Sequence, residues 1–112
     1  MLLIGKQYQP FDAKTAEEFF QKSLKLSDSL KYAEGKAQAL KFLADLKIAT
    51  SDYTMGYSYV NEAMGLYKSL GDIEGVASCF LSFSFINNRI ADYPAALEQA
   101  SNALILYRQA NS

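Results

Sequence analysis

The 112-residue sequence predicts an all-α fold of about five helices packed as antiparallel pairs. Two observations carry that reading. The first is an internal repeat at an offset of 40 residues: set without a gap against 23–72, residues 63–112 place like on like. Leu66 falls on Leu26, Ser69 on Ser29, Leu70 on Leu30, Glu74-Gly75 on Glu34-Gly35 and Ala77 on Ala37. Asp92-Tyr93 falls on Asp52-Tyr53, Ala103 on Ala63 and Leu106-Tyr107 on Leu66-Tyr67. The second is the spacing of apolar residues within each period, in steps of three and four, which draws one stripe along a helix.

The elements follow in order. Leu2-Leu3-Ile4 could be the stub of an earlier helix, with Gly5 to Pro10 as the turn after it. Asp12, in phase with Asp52, opens a helix over about 13–30, and a second runs over about 32–50. The third, about 53–70, carries the clearest stripe: Tyr53, Gly56, Tyr57, Val60, Ala63, Met64, Tyr67 and Leu70. Asp52 can cap its orphan amides, and Gly71 suits a left-handed C-cap. Asp72 caps the fourth, about 72–90. Asp92 caps the fifth, about 93–110, with Pro94 in its first turn, where a missing amide costs little. Connections this short make consecutive helices antiparallel.

Composition narrows the function. Eleven basic and twelve acidic residues give a net charge of −1, without the basic excess expected of a nucleic-acid binder or a polybasic membrane anchor. The absence of histidine removes Ser-His-Asp and Cys-His catalysis and the commonest metal ligand. Cys79 cannot form an internal disulfide, so no oxidising compartment is needed. No apolar run is long enough for a bilayer, and the first residues are too short for a signal peptide. A cytoplasmic domain is expected.

The repeat resembles the tetratricopeptide repeat in a long-helix version with a period near 40. The turn between helices A and B reads Ser51-Asp52-Tyr53 and Ala91-Asp92-Tyr93. Bulky helix A positions are Leu40, Leu43, Phe80 and Phe83, with small Ala44 and Ser84 beside them. Small helix B positions are Gly56, Ala63, Ala96 and Ala103. Phe11-Asp12-Ala13 begins a partial copy. The match departs at Lys47 and Asn87, where a tyrosine is usual, at the turn residues Ser51 and Ala91, and at Lys68 and Arg108, where a proline is usual. The resemblance implies a single domain, a right-handed array with a partial repeat over 11–32 and repeats over about 33–72 and 73–112. With neither end capped, the chain reads as part of a longer protein, or as one that covers its ends by self-association.

Chemistry is sparse. Cys79 has no base beside it and reads as a buried small residue. Asp12, Asp52, Asp72 and Asp92 recur at turns, where capping explains them. Gly65, Gly71 and Gly75 do not form a phosphate loop. No cofactor or metal is expected, and no enzymatic activity. Most aromatics fit the stripes; Tyr59 lies off its stripe and is expected to be exposed. Gly35 and Gly75 early in helix A are expected to accept close approach by the preceding helix.

By the resemblance, partners lie on the concave face of helix A. That face comprises Gln38, Lys41, Asp45 and Ile48, then Ser78, Leu81, Phe85, Asn88 and Arg89. An apolar patch with a polar rim suits a protein or peptide anchor; equally, Leu81 and Phe85 could be buried by another helix. Lys41, Asp45, Leu81 and Phe85 do not supply the Lys and Asn of the family's two-carboxylate clamp. Leu97 and Leu104 lie where no following helix A covers them and are expected to support self-association. The expected function is a non-catalytic interaction module, as in regulatory parts of signalling proteins or scaffolds. The alternative is a sensor of a short peptide or small ligand, marked by polar groups converging at Asn88 and Arg89.

Overall fold

A computed structural model of the chain describes residues 12–111. Five helices follow one another: α1 (Ala13–Ser29), α2 (Ala33–Ala49), α3 (Tyr53–Leu70), α4 (Ile73–Arg89) and α5 (Tyr93–Ala110). Each bound lies within a residue of the sequence expectation. The stub and turn expected before α1, and Phe11 and Ser112, lie outside the described residues.

The caps explain this agreement. Asp12, Asp52, Asp72 and Asp92 each accept a hydrogen bond from the amide three residues on, at Thr15, Met55, Gly75 and Ala95. Tyr32 precedes α2 without a side-chain cap. Instead Lys36 pairs with Asp28 across the turn at 2.9 Å.

The four exits that lead into a further helix are also alike. Lys31, Ser51, Gly71 and Ala91 all adopt positive φ, between 56° and 69°. The amide after each returns to a carbonyl five residues earlier, as in Asp52 to Lys47 and Asp92 to Asn87, both 2.8 Å. This is the Schellman closure, in which glycine avoids the Cβ strain of the left-handed region. Only Gly71 uses it. Ala91→Gly is therefore expected to raise stability by about 0.5–1 kcal/mol, the left-handed penalty less the added freedom of the unfolded chain. Gly71→Ala should lower it by a similar amount, and urea unfolding of the two variants checks both signs.

The helices pack in consecutive pairs, with the closest packing in α2–α3 and α4–α5, a thinner α3–α4 seam, and a slight contact of α2 with α4. The core runs through α2, α3 and α4, from Leu40, Ala44 and Ile48 to Val60, Ala63 and Tyr67, then Val76, Cys79 and Phe83. The small positions lie inside: Ala44 and Ala63 are fully buried, and Gly56, Ala96 and Ala103 are buried. Ser84 is half-buried and donates to the Ala96 carbonyl at 2.7 Å, stitching α4 to α5. Gly75 lies so close to Tyr67 that a Cβ would enter its ring, which is the close approach expected there.

Two expectations need correction. Tyr59 is half-buried, packs on the core and accepts a hydrogen bond from Gln21 at 3.1 Å, whereas Tyr57, placed on the stripe, is exposed at one edge. The reason is that α3 is covered on two sides. Gly56, Tyr59, Ala63 and Leu66 form one face and Tyr57, Val60 and Met64 another, so one stripe cannot describe the helix. Tyr107 is in phase with Tyr67 but only half-buried, because no helix follows α5 among the described residues.

The two outer helices are thinly covered. No residue of α1 is buried. It is held by the stack of Phe20 on Phe42 at 5.1 Å, by the Lys47–Glu17 ion pair at 3.2 Å and by Gln21. The departure at Lys47 thus has a local use. Phe19 and Leu26 on α1, Leu30 at its C-terminal cap, and Leu97, Leu104 and Ile105 on α5, are exposed.

Candidate interaction groove

Helices α2 and α4 flank an open groove of about 570 Å³. It is lined by Lys41, Asp45, Ile48 and Ala49 from α2, and by Ser78, Leu81, Ser82, Phe85 and Arg89 from α4. Seven of the nine residues expected on the inner face therefore meet here. Their helical spacing puts them on one side of each helix, and the contact of α2 with α4 brings the two sides together.

The remaining two do not. Gln38 is exposed and lines a separate depression with Phe19, Phe20 and Phe42. Asn88 is exposed beside Tyr93 and Leu97, in a groove between α4 and α5. Adjacent positions on a helix diverge by about 100°, so Asn88 and Arg89 face different openings. The convergent polar pair expected of a small-ligand sensor is not assembled.

The groove is polar at one level and apolar at the next. Lys41 Nζ lies 3.1 and 3.2 Å from the two Asp45 carboxylate oxygens, an i,i+4 ion pair. Ser82 Oγ donates to the same carboxylate at 3.4 Å and is buried. Sequence comparison between repeats gave no sign of Ser82, because its counterpart is Phe42. Ile48, expected to be accessible, is only 7% exposed: it is the groove floor and part of the core at once.

Leu81 and Phe85, left open between anchor and core, are 46% and 49% exposed. Two turns beyond Ser82, the Arg89 guanidinium lies over the Phe85 ring at 5.7 Å, and its Nε donates to the Tyr53 hydroxyl at 3.0 Å. Hydrogen bonding with Ser51, then with Arg89, holds that hydroxyl below the usual phenol range. Arg89 is thus fixed in direction but forms no ion pair among the described residues. A cation stacked on an aromatic ring, with no carboxylate beside it, can receive one from a ligand.

Cys79 lies behind the groove wall, fully buried, and burial pushes its thiol up to about 11. A thiol so placed is protonated and inaccessible near neutral pH. Among the described residues, no helix is long and apolar enough to cross a membrane, and no three metal-ligating side chains converge. Comparison of the chain with protein-family models, with curated proteins and with solved structures finds no match.

Proposed function

We propose that this chain is a non-catalytic protein-interaction module of the tetratricopeptide type, a right-handed array of antiparallel helix pairs that holds a peptide segment in the α2–α4 groove. The observation that carries the reading is the pairing of half-exposed Leu81 and Phe85 with Arg89, whose guanidinium is held over the Phe85 ring. Leu81 and Phe85 stand one turn apart and present one apolar face. An apolar side chain of the partner seats between them, and a carboxylate or carbonyl of the same segment meets Arg89. The Lys41–Asp45 pair sets the polar edge of the footprint.

The open groove, and the separation of Asn88 from Arg89, support a scaffold rather than a sensor of small ligands. The composition supports placing it in the cytoplasm.

A random dodecapeptide library displayed on phage and panned against the chain tests this. Enriched peptides are expected to lose roughly thirty-fold in affinity, about 2 kcal/mol, on Phe85→Ala, as when a central anchor is truncated. The control Lys25→Ala, on α1 and outside the groove, should leave affinity unchanged, and circular dichroism should show equal helix content in all three proteins. Peptides indifferent to both Phe85→Ala and Leu81→Ala would place the working surface elsewhere.

A further inference from the structure

The exposed side of α5 has a pattern that the groove does not use. Tyr93, Leu97, Ala100, Leu104 and Tyr107 follow one another at steps of four, three, four and three, so they share one face. Tyr93, Leu97 and Leu104 are 61%, 70% and 51% exposed. Forty residues earlier, the same positions on α3 are Tyr53, Tyr57, Val60, Met64 and Tyr67. There the last three are buried, and Phe83 of α4 sits against Tyr57 at 4.6 Å. The α5 face is therefore of a kind that this chain covers with a helix.

Its residue types name the occupant. Tyr, Leu, Ala, Leu, Tyr reads the same in both directions, with the small residue at the centre. A two-fold axis demands a patch complementary to itself, and this one is. We propose that a second copy of the chain crosses this face, α5 against α5 in antiparallel sense, with the two Ala100 residues at the point of closest approach. Leu97 then meets the second copy's Leu104, and Tyr93 lies beside its Tyr107. The groove of about 430 Å³ between α4 and α5, walled by Leu81, Asn88, Tyr93 and Leu97, receives that Tyr107. Charge agrees with the arrangement. Arg108, in the last turn of α5, comes level with the second copy's Asp92 at the start of its helix. Helix dipoles oppose favourably as well. A head-to-tail stack on α1 would bring together two faces that do not share this symmetry.

Sedimentation equilibrium of the full chain at tens of micromolar is expected to give twice the monomer mass. Leu97→Glu should return it to the monomer with helix content unchanged, since Leu97 has little packing to lose. Ala100→Cys should form a disulfide-linked dimer under mild oxidation, because helices crossing at a small residue bring their Cα atoms within disulfide range. The parent should not cross-link, its thiol being buried, nor should Leu30→Cys at the end of α1. A monomer throughout that range overturns the proposal. So does mass that grows past the dimer with concentration, or cross-linking through Leu30→Cys but not Ala100→Cys. Neither Leu97 nor Ala100 lines the α2–α4 groove, so a negative result here leaves the peptide-binding reading standing.

Discussion

Phe83→Ala is expected to lower the unfolding free energy by about 3–5 kcal/mol. Phe83 is 5% exposed, belongs to the central core and packs its ring against Tyr57 across the α3–α4 seam. Truncation removes the transfer free energy of the ring and leaves a void. Helices on either side are held by their own closer partners, α2 and α5, so the void cannot collapse fully. A domain of this size is stable by only about 5–15 kcal/mol, so the loss is a large fraction of the whole. Urea unfolding followed by circular dichroism measures it. Phe85→Ala, two residues away and half-exposed, is the internal comparison and should cost less than about 1 kcal/mol. A Phe83→Ala midpoint as high as that of Phe85→Ala would mean that the seam is not packed as described.

Gly75→Ala reverses the sign that helix propensity alone assigns. Alanine in place of a helical glycine adds about 1 kcal/mol of stability where space allows. At Gly75 it does not: the new methyl meets the base and edge of the Tyr67 ring, and Tyr67 is 7% exposed and cannot swing away. Overpacking of this kind costs about 1–3 kcal/mol. Gly65, on α3, has no atom within 4 Å of the added methyl, so Gly65→Ala should show the propensity gain undiminished. Opposite shifts in thermal midpoint for the two variants are the expected result. A stabilised Gly75→Ala would show that α3 and α4 part easily there.

Helix positions were legible in the sequence because they are set locally. Asp52, Asp72 and Asp92 act on amides three residues away, and Gly71 on the turn it occupies. Nothing distant is needed to place them. Ser51 and Ala91 adopt the same left-handed conformation without a glycine to announce it, and there the sequence marked the turn only through the capping Asp52 and Asp92 that follow. The groove was legible in part. Its walls repeat at helical spacing, so Lys41, Asp45, Leu81 and Phe85 could be grouped by face. Its floor could not be separated from the core, since Ile48 serves both. Gln38 and Asn88 were grouped too broadly: a face drawn from sequence spans more arc than one groove admits. Tyr57 and Tyr59 exchanged places because exposure in α3 depends on two neighbouring helices at once. No single periodicity contains that information.

Apart from the slight contact of α2 with α4 and the Gln21–Tyr59 hydrogen bond between α1 and α3, each helix packs only on the helices before and after it in the chain. This has a kinetic consequence. Every pairing closes a short loop, so little chain entropy is lost before the first contacts repay it, and folding should be fast for a domain of this length. During synthesis, α1 and α2 can dock once both have emerged, and α3 can then complete the closer α2–α3 pair, before any of α5 has been made. Order of translation and order of assembly can thus coincide, and each unfinished chain adds exposed surface along its newest helix to the α1 face that stays open.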